Sequence, residues 1–168
     1  LDQETFLLEP VSSENLHTSR STRNFWCATE EGCWSATGAS AQQEADRFTQ
    51  AQDGSALTAG LMWQTVERES KRLGLKAEIT SFVPPQENVE IMEVQLTNTG
   101  AVSQKVTGIA AIPIYGRSAD NIRDHRNVTS KLHRLQTTDH GVLVKPTMSF
   151  DEKGHRENHK IYYVLGSA

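Results

Sequence analysis

Hydrophobic and polar residues alternate over residues 73–83 of this chain. The apolar side chains of the stretch share one face: Leu73, Leu75, Ala77, Ile79 and Val83. The polar side chains point the other way: Lys76, Glu78 and Thr80. A period of two is typical of a β-strand in a sheet with one face in water. The proline pair at residues 84–85 ends this strand, because proline cannot donate to a sheet ladder.

Further short strands are predicted on both sides of this one. They cover an aromatic hairpin at residues 25–37 and single strands at 61–70, 90–97, 106–115, 142–149 and 160–165. Residues 106–115 are apolar on both faces, which predicts a central strand. Short strands separated by turn signals indicate an all-β protein with a β-sandwich fold. The apolar periodicity gives no long amphipathic helix, so parallel βαβ units are not expected.

Two short helices are expected beside the strands. The first covers residues 41–48, with Ser40 as its N-cap and Glu44 in its first turns. The second covers residues 127–135, although it starts with poor helix formers.

The aromatic hairpin carries both cysteines. If Gly32 takes the left-handed position of a three-residue loop, Thr29 faces Cys33 and Cys27 faces Ser35. The two thiols then lie diagonally, and a disulfide is not favoured. Two free cysteines fit a reducing, cytoplasmic environment.

Composition excludes some classes of function but does not identify one. The 168 residues suit one domain, with 36% hydrophobic and 23% charged residues. The net charge of −4 argues against a general nucleic-acid binder. No apolar run is long enough to predict a membrane span, and no signal segment is recognised. The chain begins with Leu1 rather than Met, so we expect a processed chain or a fragment.

The richest candidate for a binding site is the polar loop at residues 116–134, which follows an apolar strand. Its candidate residues are Arg117, Asp120, Asn121, Arg123, Asp124, His125, Arg126 and Lys131. Side chains of these types bind sugar hydroxyls through paired hydrogen bonds, and arginine also binds phosphate. The alternative is an ordered loop held together by its own Asp–Arg pairs, which are common in proteins.

Other candidate chemistry is weaker. One candidate is a platform on which sugars stack, formed by Trp26, Trp34 and Trp63. Packing of these side chains in the core is favoured instead, because aromatics carry large apolar area. In the expected hairpin register, Trp26 and Trp34 lie on one face. Neither the pair His155 and His159 nor the loop histidines His125 and His133 have the spacing of a metal site, so no metal is expected. No spacing identifies a catalytic carboxylate, a nucleophile elbow or a phosphate loop.

Four sequence runs carry a resemblance to a known family. They are FW…WSATG at residues 25–38, LTNTG at 96–100, AAIPIYGRSADNIRDHRNVTS at 110–130, and HGVLVKPTMSFDEKGH with the later YYVLG at 140–166. These runs resemble the N-terminal region of the cellobiose phosphorylase group, the inverting disaccharide and β-glucan phosphorylases, or glycosyltransferase family 36-like enzymes. The resemblance covers most of the chain from Phe25 onward.

The resemblance implies a fold, an activity and partners. The fold is the galactose mutarotase-like super-β-sandwich, of which this chain is a truncated part: residues 1–24 lead into a sandwich domain at residues 25–168. The parent enzyme catalyses reversible phosphorolysis of a β-linked oligosaccharide to an α-sugar 1-phosphate. It uses inorganic phosphate as co-substrate and no cofactor. Its catalytic residues lie in an (α/α)6 barrel expected after Ala168, and homodimers are expected.

By this interpretation the chain is non-catalytic alone, and its loop residues 117–126 bind substrate or form an interface. No nucleic acid or membrane partner is implied, and the location is cytoplasmic. The alternative is a stand-alone carbohydrate-binding module. A third possibility, a self-sufficient mutarotase-like enzyme, requires a histidine and a carboxylate that converge in one cleft.

Overall fold

The computed structural model describes residues 7–8, 23–116, 131–151 and 154–168. The chain divides into two compact units. The central unit is Asn24–Ala111, and the terminal unit comprises Leu1–Arg23 and Ile112–Ala168. The described residues are mostly β-strand, so the prediction of an all-β protein is confirmed. The proposed division at residue 24 into a leading segment and one sandwich domain stays a prediction.

The central unit contains one short helix and seven strands within the part of the chain that is described. In chain order they are β1 (Asn24–Thr29), β2 (Gly32–Ser35), α1 (Ala41–Ala45), β3 (Gly54–Gly60), β4 (Trp63–Ser70), β5 (Leu75–Phe82), β6 (Ile91–Asn98) and β7 (Thr107–Ala111). They form a four-stranded antiparallel sheet in the order β3-β4-β5-β6 and a three-stranded antiparallel sheet in the order β2-β1-β7.

The core of the central unit lies between these two sheets. Its buried members come from both: Cys27, Trp34, Ala36, Leu73, Leu75, Ala77 and Ile79. Partly buried residues pack against them: Phe25, Met92, Val94, Leu96 and Val106. Burial of apolar side chains from two facing sheets is the main source of stability of such a layered unit.

The alternation predicted for residues 73–83 is confirmed within β5, Leu75–Phe82, whereas Leu73 and Val83 lie just outside the strand. Leu75, Ala77 and Ile79 are buried, and the intervening Lys76 and Glu78 are only half-buried on the opposite face. On that face Lys76 contacts Glu67 of β4 at 2.7 Å. The same period holds in β6, where Met92, Val94 and Leu96 pack against the core.

The register predicted for the hairpin is wrong. Its loop has two residues, Glu30 and Glu31, so Thr29 lies opposite Gly32 and Cys27 lies opposite Trp34. The Thr29 hydroxyl closes this turn, because it donates to the Gly32 carbonyl and accepts from the Glu31 amide. As a consequence the cysteines lie on opposite faces of the sheet, Cys27 buried and Cys33 exposed, and both are free thiols.

Two other strand predictions also need correction. Residues 106–115 were expected to form a central strand, but the strand is only β7, it pairs in the described part of the chain with β1 alone, and all its residues are exposed. Strand β3, with the sequence GSALTAG, was not predicted. Small residues give neither alternation nor high β-propensity, so its position comes from pairing with β4.

The first predicted helix is confirmed in a shorter form. α1 ends at Ala45, and the Ser40 hydroxyl accepts a hydrogen bond from the Gln43 amide at the N-cap. Glu44 lies in the first turn, as predicted. The second predicted helix agrees with the structure at residues 131–132, which are helical, and is wrong at residues 133–135, which belong to a strand. Residues 127–130 lie outside the described residues.

The terminal unit contains five strands among its described residues. They are β8 (His133–Thr138), β9 (Gly141–Pro146), β10 (Met148–Asp151), β11 (Gly154–Glu157) and β12 (Tyr162–Leu165). Strands β12, β9 and β8 form an antiparallel sheet in that order, and β10 and β11 form a two-stranded ribbon. The sheet positions Val144 and Pro146 are buried.

Candidate functional site

The predicted loop site falls on residues that the structure does not describe. Arg117, Asp120, Asn121, Arg123, Asp124, His125 and Arg126 all lie outside the described residues, and their grouping stays a prediction. Of the predicted set only Lys131 is described; it is exposed, and its carbonyl accepts a hydrogen bond from Arg134 Nη1 at 2.9 Å.

The residues on the N-terminal side of that loop are held firmly in the terminal unit. Tyr115 is buried, its amide donates to the Leu7 carbonyl at 2.8 Å, and its own carbonyl lies 3.1 Å from His133 Nε2. Gly116 follows in the left-handed conformation, with φ of 62°, and its carbonyl accepts from Asn158 Nδ2 at 3.1 Å. A left-handed residue here turns the chain without strain only if it is glycine.

The residues on the C-terminal side of the loop are tied to the same place. The Leu132 carbonyl accepts from both the amide and the hydroxyl of Thr147, at 3.2 and 2.8 Å. The Thr147 carbonyl in turn accepts from the Asn158 amide at 3.1 Å. Asn158 therefore connects Gly116 and, through Thr147, Leu132.

The tryptophans do not form one platform. Trp34 is only 4% exposed and lies in the core, which confirms the preference for packing. Trp26 is half-buried and, in the observed register, lies on the opposite face of the sheet from Trp34, so the expected shared face is wrong. Trp63 is 43% exposed at the start of β4, with its indole against Gly60.

A polar cluster in the central unit was not found from the sequence. Trp34 Nε1 donates to Asp53 Oδ2 at 2.8 Å, and Gln43 Nε2 donates to the same oxygen at 2.7 Å. Ser40 fixes the other end of the Gln43 amide through a 2.6 Å hydrogen bond to Oε1. Gln43 and Trp34 are 10 and 19 residues from Asp53 in the chain, so no local sequence motif predicts the cluster.

Two of the described histidines, His133 and His159, make contacts within the terminal unit. His133 faces the Tyr115 carbonyl, and His159 is exposed with its Nε2 3.7 Å from Glu157 Oε2. Over the ranges that the structure covers, no three His, Cys, Asp or Glu side chains come together to hold a metal ion. The Cys27 thiol has its pKa raised to about 11 because burial disfavours the thiolate. No helix among the described residues is long and apolar enough to cross a membrane.

The comparison with protein families matches one family model over most of the chain. Residues 17–161 match the family model described as "Glycosyl hydrolase 94, supersandwich domain". The match includes the polar loop, all the central unit and most of the terminal unit. No curated protein matches the chain. The two facing sheets of the central unit and the predominance of strands agree with a β-sandwich fold, which confirms the predicted fold class. The chain therefore belongs to the glycosyl hydrolase 94 family and carries its supersandwich domain.

Proposed function

We propose that this chain is the N-terminal β-sandwich portion of a glycoside phosphorylase. The parent enzyme would split a β-linked glucoside with inorganic phosphate and release an α-sugar 1-phosphate. The observation that carries the proposal is the family match over residues 17–161. Membership of the cellobiose phosphorylase group within this family belongs to the same proposal, on the resemblance of residues 110–130.

The proposal assigns the chemistry to a helical (α/α)6 barrel of the parent enzyme and gives this chain a supporting role. An inverting phosphorylase needs one acid for the leaving group and a bound phosphate in place of the activated water. The sandwich would shape the substrate site or hold two subunits together. It would act in a cytoplasmic homodimer with no cofactor beyond the phosphate co-substrate.

The fixed ends of the polar loop support this role. Gly116 and Leu132, which flank the polar loop, are both tied to the segment around Asn158. Loops positioned by a rigid scaffold are common sites of binding. Arginine, aspartate and asparagine in such a loop suit either sugar hydroxyls or a partner subunit.

We expect Arg123→Ala and Asp124→Ala in the full-length enzyme to raise the KM for the sugar acceptor about tenfold, or to shift the dimer toward monomer. A charge-assisted hydrogen bond is worth about 1.5–3 kcal/mol, which corresponds to roughly tenfold or more in affinity. Acceptor KM is measured by phosphate release, and oligomeric state by light scattering.

The matched control for these loop variants is Arg47→Ala. Arg47 is an exposed arginine of the central unit that forms an ion pair with Glu44 at 3.2 Å and lies over the Phe48 ring. It should change neither quantity. If both loop variants also keep the wild-type acceptor KM and the wild-type oligomeric state, the loop has no part in binding or assembly.

A further inference from the structure

We infer that strand β3 is an interface between two copies of this chain, in which the two β3 strands pair antiparallel across a two-fold axis at Leu57. The four-stranded sheets of the two copies would then form one continuous sheet. This surface belongs to a different unit from residues 117–130. The inference does not depend on phosphorolysis, and it would hold equally for a stand-alone carbohydrate-binding module.

β3 is an unpaired edge of the four-stranded sheet. In the described part of the chain it pairs with β4 alone, and its 7 residues are all exposed. An edge strand keeps a row of free N–H and C=O groups, so proteins usually protect it with charged side chains, proline or a β-bulge. β3 has none of these: its sequence GSALTAG has no charge and no proline, and its register to β4 is unbroken from Gly54 to Gly60.

The hydrogen-bond pattern of the sheet shows which groups of β3 point outward. The Val83 amide donates to the Met62 carbonyl at 3.0 Å, so the even-numbered residues of β4 bond to β5 and the odd-numbered ones bond to β3. Trp63 therefore bonds to Gly60 across the two-residue loop. The residues of β3 that direct both N–H and C=O away from β4 are Ser55, Leu57 and Ala59. Only water or another strand can satisfy those groups.

The outward groups are self-complementary about Leu57. It lies at the centre of β3, and Ser55 and Ala59 lie two positions away on either side. When two copies meet around a two-fold axis, Leu57 pairs with Leu57 of the second copy, and Ser55 pairs with Ala59. Every outward N–H and C=O of these residues then has a hydrogen-bond partner. The backbone therefore fits a second copy of β3 without any change of register.

The side chains of the core continue to this edge and stop there. One cross-strand row on the core-facing side consists of Leu57, Val66, Ile79 and Val94. Exposure rises along it, since Ile79 is buried, Val66 is half-buried and Leu57 is 67% exposed. In the two-fold arrangement the two Leu57 Cα atoms lie about 5.5 Å apart, so the row continues into the second copy. Contact between the leucines buries apolar area that a single copy leaves in water.

The ends of β3 leave room for the second copy. Gly54 would lie opposite Gly60 of the other strand, beside the Trp63 indole that covers Gly60. A Cβ on Gly54 would meet no atom within 4 Å, so the described chain does not obstruct this position. β6, the other edge of the same sheet, carries the exposed Glu93, a charge of the kind that discourages pairing.

The test is self-association of the 168-residue chain, measured by sedimentation velocity over a range of protein concentrations. We expect the wild type to dimerise. Leu57→Lys and Leu57→Glu should each raise the dimer Kd at least about tenfold, because two like charges face each other across the axis. An equimolar mixture of the two variants should dimerise again, because lysine then faces glutamate. Leu57 is exposed in a single copy, so both variants should keep the subunit folded.

The matched control is Ile109→Lys. Ile109 is a 48% exposed apolar residue at the centre of β7, which is an edge strand of the other sheet. This variant should keep the wild-type dimer Kd.

Amide hydrogen exchange gives a second readout. The amides of Leu57 and Ala59 should exchange slowly only in the dimer, because they point away from β4. The amides of Ala56 and Thr58 bond to β4 and should stay protected in every folded variant.

Several results would overturn the inference. They are a wild-type chain that stays monomeric, an unchanged Kd in Leu57→Lys, an equal loss of the dimer in Ile109→Lys, and a dimer in which the Leu57 amide exchanges freely. Failure of the proposed function is a separate result. Phosphate release by the full-length protein, together with a monomeric chain, would disprove only the pairing. A dimer that depends on Leu57, without phosphate release, would disprove only the phosphorylase function.

Discussion

Leu75→Ala is expected to lower the free energy of unfolding by about 3 kcal/mol, within the range of buried leucine truncations. Leu75 is 1% exposed in the middle of the core that joins the two sheets of the central unit. Alanine removes apolar contact area and leaves a cavity that the neighbouring Ala77 and Ile79 cannot fill. The measurement is urea unfolding followed by tryptophan fluorescence, since Trp34 lies in the same core.

Leu57→Ala makes the same chemical change on β3, where Leu57 is 67% exposed. This control should cost less than about 0.5 kcal/mol, as is usual for surface substitutions. Equal losses in the two variants would show that the core does not lie between these sheets.

Gly116→Ala is expected to destabilise the terminal unit by about 3 kcal/mol. A left-handed conformation costs an L-residue roughly 1–2 kcal/mol, and forced overpacking adds about 1–3 kcal/mol. The added Cβ would stand 2.8 Å from Cγ of Pro146 and 3.2 Å from Cε2 of Tyr162. Pro146 is fully buried, so its ring has little room to move.

The matched control is Gly166→Ala, since Gly166 has open space at its Cβ position. Its stability should stay close to wild type by the same urea titration. In the full-length enzyme Gly116→Ala should also raise acceptor KM, because Gly116 begins the loop that the proposed function assigns to binding or assembly. A variant as stable as Gly166→Ala would contradict the close packing at Gly116.

Local patterns in the sequence predicted the elements whose structure is decided locally. The strand around Leu75 was predicted correctly from its alternation, because a half-buried strand exposes every second side chain. The start of α1 was predicted correctly, because the Ser40 N-cap accepts a hydrogen bond from an otherwise unpaired amide whatever the rest of the fold.

Elements decided by long-range pairing could not be predicted in this way. β3 has no side-chain signal, and β7 looked central because Ile109 and its neighbours are apolar, although Ile109 is 48% exposed. Residues 133–135 joined β8 instead of a helix because they pair with β9. The hairpin has a two-residue loop in which the Thr29 hydroxyl forms two hydrogen bonds, and the glycine signal alone did not indicate this loop length.

The candidate sites also differ in whether local sequence or long-range contacts reveal them. The polar loop was conspicuous in the sequence because its charged residues are contiguous, and its grouping stays a prediction. The cluster of Trp34, Gln43 and Asp53 had no sequence signal, since its members lie 10 and 19 residues apart along the chain and meet only in the folded unit.

The most direct test of the proposed function is phosphate release by the full-length protein in the synthetic direction. α-Glucose 1-phosphate is supplied as donor with a panel of sugar acceptors, and the 168-residue chain is assayed in parallel. The proposal predicts phosphate release by the full-length protein and none by the 168-residue chain alone. Absence of release with every acceptor tested would contradict the proposed phosphorylase function and favour the alternative of a stand-alone carbohydrate-binding module.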